Sequence, residues 1–269
     1  MHDFVGKSQT TSCAFDPARA AALHATLALN GKAPNAGDTL PPFWHQIYFW
    51  DIHAPEKLGR DGHPAIGGFI PDLGLPRRMW AGGTLMFHAP LVAGIPATKR
   101  TTITAINHKT GRSGPLAFVS LRHDIFQSGT LCVSEDQDLV YRQDVDLAAS
   151  KPTPPTARTD ETLCQKHNFS STELFRYSAL TMNGHRIHYD ETYARDVEGY
   201  SGLVIHGPLL AQYLMLLAER QLGPLKSFRF RATSALIHTE PAEFCIKADT
   251  LWVRAPDGRE CMQAMATPA

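Results

Sequence analysis

The sequence lacks the patterns that mark several large classes of protein. Its 269 residues contain no apolar run of 18 or more, the length that indicates a membrane-spanning helix. The 26 basic and 26 acidic residues give a formal net charge of zero and form no long basic run, so nucleic-acid binding has little electrostatic support. The first residues, MHDFVGKSQ, resemble neither a signal peptide nor a transit peptide. We therefore expect no membrane or nucleic-acid partner and a reducing, cytoplasmic compartment.

Cysteine is sparse and follows no recognisable spacing. The set is odd in number and contains no C-x-x-C pair: Cys13, Cys132, Cys164, Cys245 and Cys261. A disulfide framework and a structural zinc site both need regular spacing, so the sequence predicts neither. No metal and no redox cofactor are expected.

The length suits two domains of roughly 100–150 residues each. Residues 148–163 contain three prolines and almost no large apolar residue, which indicates a linker. We place the amino-terminal domain at 1–150, the linker at 151–163 and the carboxyl-terminal domain at 164–269.

Both domains show the pattern of an antiparallel meander. The predicted strands are Thr101–His108, Leu116–Asp124 and Leu131–Arg142 in the first domain, and Ser227–His238, Ala242–Arg254 and Glu260–Ala266 in the second. Helices are predicted at 16–30 and at Pro208–Gln221, and the aromatic segment 43–50 has strand character. The Gly- and Pro-rich residues 55–83 favour neither a regular helix nor a central strand. This predicts an α+β fold of two sheets, each wrapping a helix, with the amino-terminal copy lacking an equally clear central helix.

The polar segment Met182–Tyr193, MNGHRIHYDETY, is the most informative part of the chain. It holds Asn183, His185, Arg186, His188 and Asp190 within eight positions and is followed by a glycine-punctuated turn and the apolar helix. Proton-transferring side chains beside an exposed helix amino terminus form a plausible reaction centre.

This segment resembles the hydratase motif of the (R)-specific enoyl-CoA hydratases, the MaoC-like group of hotdog folds. That motif runs Gly-Asp-x-Asn-Pro-Leu-His, and its Asp and His hold the water. The turn Gly-x-x-x-His-Gly also matches, at Gly202, His206 and Gly207. Strings such as Phe43-Trp44-His45 further resemble a long, double-hotdog branch that includes itaconyl-CoA and mesaconyl-CoA hydratases and mitochondrial 3-hydroxyacyl-thioester dehydratases.

The resemblance implies a hydro-lyase whose site lies in the carboxyl-terminal domain. Asn183 replaces the family's Asp, and because an amide cannot take up a proton at neutral pH, His188 is expected to move the proton while Asn183 holds the water. The N–H of Gly207, at the start of the helix, is expected to polarise the thioester carbonyl. CoA enters as part of the acyl-CoA substrate, and a homodimer is implied.

Other residues are further candidates for substrate binding or catalysis. His185, Arg186, Tyr189 and His206 are expected to contact substrate, and Arg186 favours an acyl group with a second carboxylate, as in itaconyl-CoA or mesaconyl-CoA. Asp190 could act in the site, although such an Asp also caps a following helix. In the first domain His63 could be catalytic, and Arg77 and Arg78 could meet the CoA phosphates. A Gly/Pro-rich loop explains the pattern around His63 as well, and Arg77 and Arg78 could instead be a solvated pair.

Three other functions fit the same pattern. A fatty-acid 3-hydroxyacyl-thioester dehydratase needs a long apolar pocket. An acyl-CoA thioesterase needs a carboxylate near the carbonyl, for which Asp190 is the near candidate. A non-catalytic acyl-CoA-binding module is suggested by the Asn at position 183.

Overall fold

The computed structural model describes residues 4–111, 114–145 and 153–269. The chain forms two compact units. The amino-terminal unit comprises Met1–Asp144 together with Ala179–Gly184, and the carboxyl-terminal unit comprises Val145–Ser178 and His185–Ala269. Residues 151–152 of the predicted linker lie outside the described residues. Among the described residues no helix is long and apolar enough to cross a membrane.

The amino-terminal unit contains a five-stranded antiparallel sheet. Its elements are β1 (Ser8–Cys13), α1 (Pro17–Thr26), β2 (Arg77–Phe87), β3 (Ala97–Gly111), β4 (Gly114–Gln127) and β5 (Thr130–Arg142), and the strand order is β1-β3-β4-β5-β2. Asp16 caps α1 by accepting a hydrogen bond from the N–H of Ala18, and Pro17 opens the helix. One buried cluster centred on β3, β4 and β5 forms a core: Leu75, Ile103, Ala117, Val119, Leu121, Leu139 and Tyr141.

Two predictions for this unit were wrong. The aromatic segment is a 3₁₀ turn, Trp44–Ile47, rather than a strand, and the phenylalanines on either side, Phe43 and Phe49, have positive φ values of 72° and 55°. A left-handed conformation at each of these two residues interrupts the extended backbone that the aromatic composition favours. Strand β2 begins at Arg77, inside the Gly/Pro-rich region, and contains a β-bulge between Trp80 and Gly82 where it pairs with β5.

The carboxyl-terminal unit contains a second five-stranded antiparallel sheet. Its strands are β6 (Leu163–His167), β7 (Leu225–Ala232), β8 (Ala242–Lys247), β9 (Thr250–Arg254) and β10 (Glu260–Pro268), in the order β7-β10-β9-β8-β6. The predicted strand 242–254 is thus two strands joined by a tight turn at Ala248, whose φ is 53°. Its helices are α2 (Ser171–Leu180), α3 (Glu191–Asp196) and α4 (Gly207–Leu222). The cap of α2 is Ser170, whose Oγ accepts from Glu173 N–H.

Helix α4 is the central helix of this second sheet. It contacts β7, β8, β9 and β10. Its leucines recur at helical spacing, so one face turns inward and buries Leu209, Leu210, Leu214 and Leu217. Burying four leucines stabilises the unit by roughly 6–12 kcal/mol before the entropy cost of ordering them is counted. The helix start is therefore a rigid part of the unit, which fixes the position of the residues just before it.

Candidate active site

His188 is held by the backbone on the way into α4. It ends a 3₁₀ turn, Arg186–His188, and only 6% of its surface is exposed. Its Nδ1 lies 2.7 Å from the carbonyl oxygen of Val204. A carbonyl oxygen can only accept, so Nδ1 carries the proton and donates it. In the neutral ring Nε2 then has a lone pair, which is what a general base requires.

A second imidazole lies flat against His188. The ring centroids of His188 and His206 are 3.6 Å apart and the ring planes differ by 18°. His206 has no exposed surface, its Nε2 lies 2.8 Å from Ser178 Oγ, and its Nδ1 has no hydrogen-bond partner among the described residues. Burial first, and then the neighbouring His188 and His185, hold the pKa of His206 well below its usual range. His206 is therefore neutral at pH 7.

His185 completes a group of three histidines. Its ring meets that of His188 edge to face, with 5.4 Å between centroids, and it is 8% exposed. The structure thus brings together three of the predicted residues, His185, His188 and His206, within one unit. Because His206 has no solvent-accessible surface, its geometry argues for contact with His188 rather than with substrate.

The start of α4 offers one uncommitted N–H group. The N–H groups of Leu209 and Leu210 both donate to the carbonyl of His206, at 3.0 and 3.1 Å, and Pro208 has none. The N–H of Gly207 makes no hydrogen bond to any described residue. At this end of the helix the dipole favours negative charge, so the geometry suits an oxygen that becomes negative.

Gly207 is not explained by packing or by backbone conformation. Its φ is not positive, and apart from its chain neighbours and the backbone of its own helix no atom of the described residues lies within 4 Å of the position that a Cβ would occupy. At Gly202, by contrast, a Cβ would meet Ile237 Cγ2 at 3.0 Å, so that glycine is needed for packing. The open space beside Gly207 N–H leaves room for a ligand to approach the backbone.

Arg186 and Asp190 are committed to each other. Arg186 Nε and Nη2 lie 3.0 and 2.7 Å from Asp190 Oδ2, and the guanidinium stacks 4.2 Å above the Tyr193 ring. Asp190 also caps α3 by accepting from Tyr193 N–H at 3.0 Å, as the alternative interpretation predicted. The Tyr193 backbone bond and then Arg186 hold the pKa of Asp190 below its usual range. Both side chains thus have a structural role, and the Asp190 carboxylate is already bound by Arg186 and by the Tyr193 N–H.

The other predicted residues divide between the two units. Tyr189 is exposed, and Asn183 belongs to the segment Ala179–Gly184 that groups with the amino-terminal unit. In that unit His63 Nδ1 lies 2.9 Å from Asp61 Oδ2. Arg77 is only 8% exposed, which disagrees with a solvated arginine pair, and Arg78 hydrogen-bonds Tyr141.

The residues that complete the histidine group had no signal in the sequence. Ser178 lies 28 positions before His206, and the acceptor for His188 is a main-chain carbonyl, which any residue supplies.

The tertiary structure also brings together a group of possible metal ligands, one of which is far from the others in the sequence. Glu161, Cys164 and Cys245 have ligand atoms within 4.8 Å of one another. Arg254 already binds the Glu161 carboxylate through two hydrogen bonds, at 3.0 and 2.6 Å, so the group fits an ion pair better than a metal site.

Comparison with known proteins identifies the family. Residues 43–238 match the model of the family described as hydroxyacyl-thioester dehydratase type 2. The mesaconyl-C(4)-CoA hydratase of Chloroflexus aurantiacus is 40% identical over 97% of this chain and 95% of its own.

Solved structures confirm the fold. A MaoC-like dehydratase from Phytophthora capsici superposes with a TM-score of 0.64 at 13% identity, covering 100% of this chain and 99% of that one. A Mycobacterium tuberculosis protein with a double hotdog fold has a TM-score of 0.62 at 13% identity, covering 97% and 95% of the two chains. The predicted α+β double hotdog is confirmed. The chain belongs to the hydroxyacyl-thioester dehydratase type 2 family and is an enzyme of the MaoC-like hydratase and dehydratase group.

Proposed function

We propose that this enzyme adds water across the double bond of a short, branched, dicarboxylic enoyl-CoA, such as mesaconyl-CoA or itaconyl-CoA. The relative at 40% identity is named for mesaconyl-C(4)-CoA and matches over nearly the whole of both chains. The observation that carries the proposal in the structure itself is the 2.7 Å contact between His188 Nδ1 and the Val204 carbonyl. It gives the reactive nitrogen of a general base in a buried position.

The proposed chemistry needs one group that first takes and then returns a proton. Nε2 of His188 removes a proton from water, and the water oxygen forms a bond to Cβ of the enoyl group. The electron pair of the double bond moves toward the thioester carbonyl, and the imidazolium then gives its proton to Cα. Nδ1 keeps its hydrogen bond to Val204 throughout, so the ring does not have to turn.

The thioester oxygen becomes negative between these two steps. We place it at the N–H of Gly207, where the donor has no other partner among the described residues and the α4 dipole has its positive end. Donors of this kind contribute about 2.7–4 kcal/mol of transition-state stabilisation. In this proposal the Gly207 N–H and the α4 dipole polarise the carbonyl, and CoA is needed only as part of the substrate.

Asn183 is proposed to hold the water. An amide carries both donors and an acceptor, so it can orient a water molecule although it cannot remove its proton. Asn183 precedes His188 by five positions, the spacing of the family's Asp and His. Replacement by Asp restores the family's residue and tests whether a carboxylate is tolerated there.

The proposal of a dicarboxylic acyl group rests on the relative more than on Arg186. The guanidinium that was expected to bind a second carboxylate is already paired with Asp190. A substrate carboxylate would have to share Arg186 with Asp190, which is compatible with a guanidinium's several donors but not required by the structure. Arg186→Leu should raise KM for mesaconyl-CoA much more than for crotonyl-CoA, and equal increases would remove the role proposed for Arg186.

A second candidate is a 3-hydroxyacyl-thioester dehydratase acting on fatty acyl chains, which the family description favours. The same residues catalyse the reverse reaction, so the distinction lies in the acyl group. A thioesterase is not favoured, because Asp190, the carboxylate it would use, is committed to Arg186 and to the α3 cap.

The test is a hydration assay over a panel of thioesters. Loss of the conjugated double bond is followed in the ultraviolet for mesaconyl-CoA, itaconyl-CoA, crotonyl-CoA and a long-chain enoyl-CoA, with free thiol measured in parallel. We expect turnover of the dicarboxylic substrates without thiol release. Preference for the long chain supports the second candidate, and thiol release with an intact double bond contradicts both.

His188→Ala decides whether the assigned base is correct. Removal of a general base should lower kcat about 10²- to 10⁴-fold. His24→Ala, which removes a histidine from α1, is the matched control and should retain wild-type activity. Full activity in the His188 variant would contradict the mechanism.

The homodimer implied by the family resemblance is also a proposal. Light scattering on the purified protein should give twice the 29.6 kDa mass of the chain. A monomeric mass with full activity would remove the dimer from the proposal.

A further inference from the structure

His206 stands where a capping residue is expected, yet it does not cap. The residue before a helix is usually Ser, Thr, Asp or Asn, whose oxygen accepts from the first turn. His206 precedes α4, makes no side-chain capping bond and has no exposed surface. Burying a polar ring costs free energy unless its polar atoms are hydrogen-bonded. The position of His206 therefore needs a reason other than helix capping.

The contact with His188 supplies that reason. Aromatic pairs usually lie with centroids 4.5–7 Å apart, whereas His188 and His206 are 3.6 Å apart and nearly parallel. One face of His188 is thus covered by the neutral ring, while the Val204 carbonyl holds its Nδ1 and His185 meets it edge to face. Together these contacts fix the plane of the His188 ring.

His206 is itself held from the other side. Ser178 Oγ lies 2.8 Å from Nε2, and the Tyr177 ring packs edge to face with 5.0 Å between centroids. An unpaired buried N–H costs more than an unpaired lone pair, so we assign the proton of His206 to Nε2, which donates to Ser178. The titratable groups that face His206 are His188, His185 and the Tyr177 phenol.

We propose that His206 is a positioning residue for His188. Its ring keeps Nδ1 of His188 on the Val204 carbonyl, leaves Nε2 as the only nitrogen that can react, and shields one face of His188 from water. Two protonated rings at 3.6 Å would repel each other strongly, so the stacked pair carries one proton at most, and His188 carries it during turnover. The inference rests on the proposed function only in making His188 the group that moves the proton.

Two substitutions separate the ring from its hydrogen bond. His206→Phe keeps a flat ring against His188 but loses the bond to Ser178. His206→Gln keeps a polar group for Ser178 but removes the ring, so water can reach the exposed face of His188. Neither replaces a capping bond, because His206 makes none. If the Gln variant does not fold, His206→Asn removes the ring with a smaller side chain.

The first measurement needs no turnover. Nitrogen-15 spectra of the histidine-labelled protein report which ring nitrogen is protonated, and the His188 signals are assigned by their loss in His188→Ala. We expect wild type and His206→Phe to show the proton on Nδ1 of His188. His206→Gln should show a mixture of the two tautomers.

The second measurement is the pH dependence of kcat/KM. Water at the freed face stabilises the protonated ring, so the acid limb of His206→Gln should move to higher pH, and that of His206→Phe should not. We expect kcat/KM of the Gln variant to fall on the order of 10- to 100-fold, the range seen when a partner that orients a functional imidazole is lost.

The outcomes separate this inference from the proposed function. A Gln variant with the wild-type His188 tautomer and an unmoved acid limb overturns the positioning role, even if its melting temperature falls. A wild-type enzyme that hydrates none of the thioesters overturns the proposed function. The tautomer of His188 in the Gln variant then still decides the positioning role.

Discussion

Replacing Gly207 by Ala should damage activity while leaving the protein more stable. Gly207 has an ordinary φ, and apart from its own helix and chain neighbours nothing in the described part of the chain lies within 4 Å of the added Cβ, so the folded protein accepts alanine without strain. Alanine also loses less conformational entropy than glycine on folding, which is worth about 0.4–1 kcal/mol. For a chain of this size the melting temperature should rise by roughly 1–4 °C.

The activity of Gly207→Ala should change in the opposite direction. The methyl group would occupy the space through which a thioester oxygen approaches the Gly207 N–H. A displacement of about 1 Å at a reacting centre costs on the order of 10²-fold in rate, or about 2.7 kcal/mol. The assay is kcat/KM for mesaconyl-CoA hydration together with a thermal melt on the same preparation.

Gly202→Ala is the matched control. Its Cβ would lie 3.0 Å from Ile237 Cγ2 and 3.6 Å from the His238 ring, so the neighbours must move. Overpacking of this kind costs about 1–3 kcal/mol, and the melting temperature should fall. Unchanged kcat/KM in Gly207→Ala would refute the assignment of its N–H to the thioester oxygen. A fall in the melting temperature of Gly207→Ala would refute the argument that the folded protein has room for its added methyl group.

Three further predictions concern charged groups. Asp190→Asn should leave the α3 cap in place but weaken the ion pair with Arg186. The free energy of unfolding, measured in urea, should fall by less than about 1 kcal/mol, as for an exposed ion pair. A larger loss would show that this pair contributes more than an exposed ion pair does. Asp190→Ala removes the cap as well and should cost about 0.5–2 kcal/mol more in the same titration. In the amino-terminal unit, burial alone would raise the pKa of Glu135, but the hydrogen bond from His45 and the nearby charges hold it below its usual value of 4.5. Because the pKa of Glu135 is lowered in the folded protein, its contribution to the free energy of unfolding is present above pH 4.5 and is lost as the pH falls through the folded pKa. Glu135→Gln should therefore lose less of its free energy of unfolding in acid than the wild type does. An unchanged dependence of that free energy on pH would contradict this.

The local patterns of the sequence were sufficient for most elements. Asp16 before Pro17 marks the start of α1, and the leucine spacing after Gly207 marks α4. Alternating and β-branched runs located β3, β4, β5 and β10. These signals are local because capping and helical or strand periodicity depend on residues only a few positions apart. They failed where local propensity and the final backbone disagree, as at Phe43 and Phe49.

The site was predictable only in part. The motif around His188 and the glycine turn placed the histidines and the helix start within 25 residues of one another in the sequence. The segment could not show that Asp190 is committed to Arg186, or that His206 faces His188 and not a ligand, because both depend on side-chain directions set by packing.

The sequence by itself therefore determined the family and the fold class and predicted His188 as the residue that moves a proton, because each of these rests on residue types at short spacings. Only the tertiary structure shows which nitrogen of His188 donates to the main chain and that the Cβ position at Gly207 is open. The first depends on a main-chain carbonyl 16 positions further along the chain. The second depends on space, which has no counterpart in a string of residues.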